Sequence, residues 1–135
     1  MAILLDTGVA FAFYDRHDPW HQRALELFSN ELAGLLLPAP VIPEVDYLLG
    51  RELGRLAQTR FYAGIAGGEF FVIDLPREKY ARVEELNRQF ADLSLGFVDA
   101  AVVAISESLG LPRIATTDRR HFTPLAAALG LELLP

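Results

Sequence analysis

Apolar residues in this chain occur in short runs, and the segments between the runs have helical periodicity. The runs are bounded by turn-forming or polar residues and predict five buried β-strands, at 3–5, 35–37, 70–75, 113–116 and 131–134. The segments between them predict helices at 9–14, 19–33, 43–49, 77–90, 97–109 and 122–129, with a further helix containing Phe61 and Ile65. The chain therefore alternates between strand and helix along its length.

Prolines and glycines mark several predicted helix ends. Asp18 is predicted to be the N-cap of the second helix, with Pro19 as its first residue. Pro43 is predicted to begin the third helix, and Gly110 to close the helix at 97–109. These residues make the predicted boundaries more specific than periodicity alone does.

Strands that alternate with helices and read as continuous apolar runs are typical of a parallel sheet covered by helices on both faces. We therefore predict the α/β class: a three-layer α/β/α sandwich around a five-stranded parallel sheet. The 135 residues are enough for one domain, 1–135, that folds without a disulfide or metal staple.

Composition excludes several classes of protein. Cysteine is absent, which excludes a disulfide framework, a thiolate metal site and a cysteine nucleophile. The longest uncharged stretch, at 32–43, contains three prolines and is too short to cross a bilayer. No targeting signal is recognisable, so we expect a soluble, cytoplasmic protein without membrane contact.

The net charge and the arginine content give opposite indications about nucleic-acid binding. A formal net charge of −6 argues against a passive nucleic-acid binder, which usually has a basic face. Eleven arginines against a single lysine, Lys79, nevertheless suit contacts with phosphate groups. A few carboxylates gathered in one place reconcile the two observations.

Four acids stand at the ends of predicted elements that meet at one edge of a parallel sheet, where ligands bind in this class of fold. They are Asp6, Glu44, Asp99 and Asp118. A buried carboxylate is costly unless it is paired or bound to a metal. Oxygen ligands suit Mg²⁺ or Mn²⁺, and such clusters commonly support phosphodiester hydrolysis.

Each acid also has a structural interpretation. Asp6 can cap the helix that follows it, Glu44 can favour a helix N-terminus through the dipole, and Asp118 can lie in a solvated turn. Asp99 is the hardest to explain in this way, because the residues after it in its helix are apolar. The four acids together are more informative than any one of them.

Four segments resemble PIN-domain ribonucleases, and among these the VapC toxins of prokaryotic toxin–antitoxin pairs. They are ILLDTG at 3–8, PEV at 43–45, ADLSLGFVDA at 91–100 and IATTDRRHF at 114–122. The likeness spans the whole chain in the right order and spacing. It implies a Mg²⁺- or Mn²⁺-dependent endoribonuclease with a five-stranded parallel sheet, usually a homodimer.

The resemblance also implies roles for particular residues. The metal-binding and catalytic acids of the family correspond to Asp6, Glu44, Asp99 and Asp118. Supporting positions correspond to Thr7, Asp92 and Thr116. His121 stands where the family often has an acid, so it receives no role from the resemblance.

The implied mechanism is in-line attack of a metal-bound water on an RNA phosphate. Asp6, Asp99 and Asp118 would be the main ligands, and Glu44 would bind a second ion or position the water. Arg119 or Arg120, or the arginines at Arg51 and Arg55, could hold the RNA backbone. An antitoxin that covers the active site is the partner that the family implies.

Three alternatives share part of the pattern. The Asp6-Thr7-Gly8 triplet also occurs in retroviral-type aspartic proteases, which are all-β, whereas this chain has long predicted helices. A haloacid-dehalogenase-like phosphatase needs a second aspartate where this chain has Gly8. It also needs a catalytic lysine, whereas Lys79 lies in a predicted helix far from the strand ends. The third alternative is a catalytically silent PIN-like binding module that recruits a protein or RNA partner.

Other features have structural explanations. His17 and His21 have metal-ligand spacing, but no third ligand is near, so a structural or surface role is favoured. Trp20 is expected in the core or at a dimer contact. The apolar stretches 47–49 and 61–62 are predicted to form a dimer interface or a groove for a partner helix.

Overall fold

The computed structural model describes residues 2–31 and 34–135 and contains one five-stranded sheet. All strand pairs are parallel. The strands are β1 (Ile3–Leu5), β2 (Leu35–Pro38), β3 (Phe71–Ile73), β4 (Arg113–Ala115) and β5 (Glu132–Leu134). The α-helices among the described residues are α1 (Thr7–Tyr14), α2 (His21–Asn30), α3 (Ile42–Glu52), α4 (Arg55–Ala66), α5 (Tyr80–Gln89), α6 (Gly96–Leu109) and α7 (Arg119–Leu129).

The predicted α/β class and the five-stranded parallel sheet are confirmed. The sheet order is β3-β2-β1-β4-β5, and right-handed crossovers put α1–α4 on one face and α5–α7 on the other. The packing agrees, because α1 contacts α2 and α3 while α5 contacts α6. This architecture excludes the all-β protease.

The predicted start of α2 is wrong. The helix begins at His21, with Trp20 as its N-cap residue, and not at Pro19. The Asp18 carboxylate instead accepts a hydrogen bond of 2.8 Å from the backbone N–H of Trp20, which closes a turn ahead of the helix. Leu32 and Ala33, where we predict its end, lie outside the described residues.

Burial separates the central strands from the edge. The side chains of Leu4, Leu5 and Ile114 are fully buried, as predicted for a sheet covered on both faces. The edge strand β3 differs, because Phe71 is 53% and Val72 41% exposed. Continuous apolar character predicted the strand correctly but overestimated its burial, since an edge strand has a neighbour on one side only.

The topology places a crevice beside β1. From β1 the chain passes to β2 on one side, while β4 pairs with the other side of β1 and leads to β5. The loops after β1 and β4 therefore diverge, and this switch point is where open α/β sheets bind ligands. Among the described residues, no helix has the length and apolar character needed to cross a membrane.

Candidate metal centre

Asp6 and Thr116 join the ends of the two central strands. Leu5 pairs with Ala115 in the sheet register, so the next residues along both strands are neighbours. The Thr116 hydroxyl donates a 2.8 Å hydrogen bond to Oδ2 of Asp6 and accepts one of 3.0 Å from the backbone N–H of Asp118. A single buried hydroxyl thus orients one acid and the loop that carries another.

Asp6 is a buried carboxylate that forms no ion pair among the described residues. It is only 4% exposed, and it makes no side-chain capping hydrogen bond to α1, so helix capping does not explain it. Burial raises the pKa of Asp6 to about 6, against the lowering effect of the Thr116 hydrogen bond. The charges of Asp118 and Glu44 contribute to this raised pKa.

Asp99 faces the same crevice from the first turn of α6. Its side chain is 18% exposed, and the residues after it, Ala100 to Ile105, are fully buried. Burial, followed by the charges of Asp6 and Asp118, raises the pKa of Asp99 to about 7. The negative charge of this group is therefore costly at neutral pH unless a cation is nearby.

Asp118 caps α7 and also contributes to the cluster. Its Oδ1 accepts the backbone N–H of His121 at 3.0 Å, and its Oδ2 lies 2.6 Å from Nδ1 of His121. Nδ1 of His121 is also 3.7 Å from Oδ2 of Asp99. Asp99, Asp118 and His121 each offer one atom within 4.8 Å of the others. A solvated turn is therefore not a sufficient explanation of Asp118.

Glu44 is the outermost of the four acids. It lies exposed in the first turn of α3, and its Oε1 accepts a 2.7 Å hydrogen bond from the Thr7 hydroxyl. Its charge contributes to the raised pKa of both Asp6 and Asp99. All four predicted acids are therefore in electrostatic contact, although they come from distant parts of the sequence.

Gly8 allows the first turn of α1 to approach the loop after β4. A Cβ atom at position 8 would lie 2.1 Å from Oγ1 of Thr117. Any other residue would force this hydroxyl or the helix to move. The glycine therefore keeps Asp6 and Thr7 close to the loop that carries Asp118.

The other predicted site residues, Asp92, Arg119 and Arg120, lie outside the cluster of four acids. Asp92 is exposed in a 3₁₀ turn and makes no side-chain hydrogen bond to the four acids among the described residues. Arg119 donates a 2.7 Å hydrogen bond to the Pro135 carbonyl and lies over the Trp20 ring. Arg120 is exposed at the start of α7, so it is more available to a ligand than Arg119 is.

Sequence reasoning assigned no role to His121, which the structure places in the cluster. It is the third residue of α7 after the Asp118 N-cap, and side chains at that position reach back to the cap. The three-residue spacing of Asp118 and His121 could therefore have predicted this contact from the sequence. The structural role favoured for the other histidines agrees with His21, whose Nδ1 lies 2.7 Å from the Ala12 carbonyl.

The cluster fits a hard divalent cation. It presents carboxylate oxygens, the ligand type that such ions prefer, and two of the carboxyl groups have a pKa raised by burial and by one another. Among the described residues, the ion pairs of Asp99 and Asp118 are with His121 alone. A cation of charge +2 would offset the repulsion that these side chains leave uncompensated.

These features define a small α/β protein with a carboxylate-lined crevice whose side chains fit a divalent metal. The family model described as "PIN domain" matches residues 3–127, and the chain belongs to this family. A curated relative, Ribonuclease VapC26 of Mycobacterium tuberculosis, is 26% identical over 91% of each chain.

Solved structures share the fold. The Mycobacterium tuberculosis toxin VapC20, described as cleaving the sarcin–ricin loop, matches with a TM-score of 0.84 and 21% identity over 99% of this chain and 100% of its own. A toxin–antitoxin complex from Klebsiella pneumoniae matches with a TM-score of 0.72 and 17% identity, over 97% of this chain and 96% of that one.

Proposed function

We propose that this chain is a metal-dependent endoribonuclease that hydrolyses RNA phosphodiester bonds, folded as one PIN domain over residues 1–135. The observation that carries the proposal is the convergence of Asp6, Glu44, Asp99 and Asp118 at the switch point of the sheet. The ribonuclease name of the curated relative and the cleaving activity named for VapC20 support this reaction class.

Asp6, Asp99 and Asp118 would hold the cation, for which we propose Mg²⁺ or Mn²⁺. When bound, such an ion supplies activation of water and stabilisation of the charge on the leaving oxygen. Thr116 keeps the Asp6 carboxylate oriented. Glu44, held by Thr7, is placed at the open side of the cluster, where it can accept a proton from an attacking water.

RNA would reach the site from the exposed side of the crevice. Glu44 is exposed there, and Arg120 at the start of α7 can contact a phosphate of the backbone. The rest of the surface carries a net negative charge, so we expect RNA to bind through the cation and a few arginines. For Asp92 we propose a supporting role only.

We further propose that the chain is the toxin of a toxin–antitoxin pair, acts in the cytoplasm and forms a homodimer. The toxin–antitoxin complex with the same fold supports an antitoxin partner. Tyr47 and Tyr62 are exposed on α3 and α4 and provide apolar surface for such contacts, whereas Leu49 and Phe61 belong to the core. A monomeric mass by light scattering at micromolar concentration would contradict the dimer.

The decisive experiment compares RNA cleavage by the wild type, Asp6→Asn and Asp99→Asn in Mg²⁺, in Mn²⁺ and in EDTA. Asp74→Asn is the matched control, because Asp74 also directly follows a strand but is exposed beside the edge strand β3. We expect cleavage only with metal, lost in the first two variants and kept in the control. Metal binding without cleavage of any RNA would instead favour the silent binding module.

A further inference from the structure

The imidazole of His121 occupies the space between two of the proposed metal ligands. Its Nδ1 is 2.6 Å from Oδ2 of Asp118 and 3.7 Å from Oδ2 of Asp99. This nitrogen is the atom of the ring that faces both carboxylates. A cation held by Asp99 and Asp118 would therefore meet it directly.

The spacing of the three groups is close to that of a shared coordination sphere. Their ligand atoms all lie within 4.8 Å of one another. Ligands of one ion of the size of Mg²⁺ lie within about 4.2 Å of one another. Small side-chain movements are enough to bring the three groups onto one ion.

The ring of His121 has a further contact with the backbone. A backbone hydrogen bond joins the imidazole to Leu93, in the turn that precedes α6. Histidine ligands of metals are usually oriented by a further hydrogen bond to a carbonyl or carboxylate. The side chain is 23% exposed, so it is both supported and partly shielded.

We propose that His121 joins Asp6, Asp99 and Asp118 as a direct ligand of the divalent cation, through Nδ1, and that this mixed set of nitrogen and oxygen ligands favours Mn²⁺ over Mg²⁺. This rests on the proposed function, since it requires a cation at the carboxylate cluster. Imidazole is a good ligand for first-row transition ions, whereas Mg²⁺ prefers oxygen. Mn²⁺ binds carboxylate oxygen readily and, as a first-row transition ion, accepts nitrogen more readily than Mg²⁺ does.

Electron spin echo envelope modulation of Mn²⁺ bound to the purified protein tests this without measuring activity. We expect ¹⁴N modulation from a directly bound imidazole in the wild type. It should disappear when the protein carries ¹⁵N-labelled histidine, a change that cannot affect folding. His17→Asn, which alters an exposed histidine in the loop after α1, is the matched control and should keep the signal.

Titration calorimetry with the two ions provides the second measurement. We expect His121→Asp to keep Mn²⁺ binding but lose the ¹⁴N signal, and to lower the preference for Mn²⁺ over Mg²⁺ about tenfold. Bound Mn²⁺ that is lost in Asp99→Asn, but shows no ¹⁴N modulation in the wild type, would overturn the role of His121 alone. Absence of Mn²⁺ binding by the wild type would overturn the proposed metal-dependent function as well.

Discussion

The hydroxyl of Thr116 donates a 2.8 Å hydrogen bond to Oδ2 of Asp6, joining the carboxyl ends of β1 and β4. Thr116 is fully buried and Asp6 nearly so, so this is the side-chain hydrogen bond that lowers the pKa of Asp6 against the effect of burial. The hydroxyl oxygen of Thr116 also accepts a hydrogen bond from the backbone N–H of Asp118. One threonine therefore sets the relative position of two proposed ligands.

Thr116→Val should weaken cation binding while preserving the shape of the side chain. Without the hydroxyl, the pKa of Asp6 rises further and its carboxylate loses its orientation. We expect the dissociation constant for Mn²⁺ to increase about 10–100-fold, measured by titration calorimetry at pH 7.5. Thr116→Ser retains the hydroxyl and should bind nearly as well as the wild type; equal weakening in both variants would refute the hydrogen-bond explanation.

The metal-free protein should lose stability as the pH rises. The folded-state pKa of Asp6 is raised to about 6 and that of Asp99 to about 7, so between roughly pH 4 and 7 the folded state binds more protons than the unfolded state. The free energy of unfolding then decreases with increasing pH. The raised pKa of His121, caused chiefly by its hydrogen bond to Asp118, acts in the same direction.

Urea unfolding in EDTA at pH 5.5 and pH 8 measures this dependence. Asp99→Asn removes one of the repelling charges, so it should stabilise the metal-free protein at pH 8 by about 1–3 kcal/mol and flatten the pH profile. Glu26→Gln, an exposed acid on α2, is the control and should change neither. A wild-type stability that increases from pH 5.5 to pH 8 would contradict the assignment.

Divalent cations should stabilise the folded protein, and more strongly at pH 8 than at pH 5.5. Protonation of Asp6 and Asp99 at the lower pH competes with cation binding. At a concentration 100 times the dissociation constant, binding adds about 2.7 kcal/mol to the free energy of unfolding. Thermal scans with Mg²⁺, Mn²⁺ and EDTA measure this; a stabilisation that survives in Asp99→Asn would place the ion elsewhere.

Asn87 should act as a positioning residue for Asp99. Its side chain accepts the N–H of Gly96 at 2.9 Å and donates to the Gly96 carbonyl at 3.1 Å, and it also donates to the Val83 carbonyl. It therefore ties the start of α6, which carries Asp99, to α5. Gly96 has a φ of +79°, a conformation that this clamp helps to hold.

Asn87→Ala should destabilise the protein by about 1–3 kcal/mol, because it removes three hydrogen bonds that hold the start of α6 against α5, and should weaken Mn²⁺ binding as well. Asn87→Asp keeps the acceptor for the Gly96 N–H and should retain more of both properties. Denaturant unfolding and calorimetry separate the two effects. Loss of stability with unchanged Mn²⁺ affinity would mean that the clamp supports the fold and not the site.

Hydrophobic periodicity was enough to predict the class, the five strands and the helices that connect them. It worked because the central strands at Leu4 and Ile114 are buried on both faces, which requires continuous apolar runs. Periodicity was less accurate for burial at the edge of the sheet, as at Phe71. The capping signal at Asp18 misplaced the start of α2, because the Asp18 carboxylate closes a turn ahead of the helix instead. Those outcomes depend on neighbours that are distant along the chain.

Position after a strand identified Asp6 as a candidate, but Asp74 has the same position after β3 and is exposed. The difference is the sheet order, which makes β1 and β4 neighbours and leaves β3 at the edge. Likewise, the three-residue spacing of Asp118 and His121 was readable from the chain, whereas the approach of His121 to Asp99 was not. Local patterns reflect burial and backbone geometry, and only tertiary packing decides which acids become close enough to share a cation.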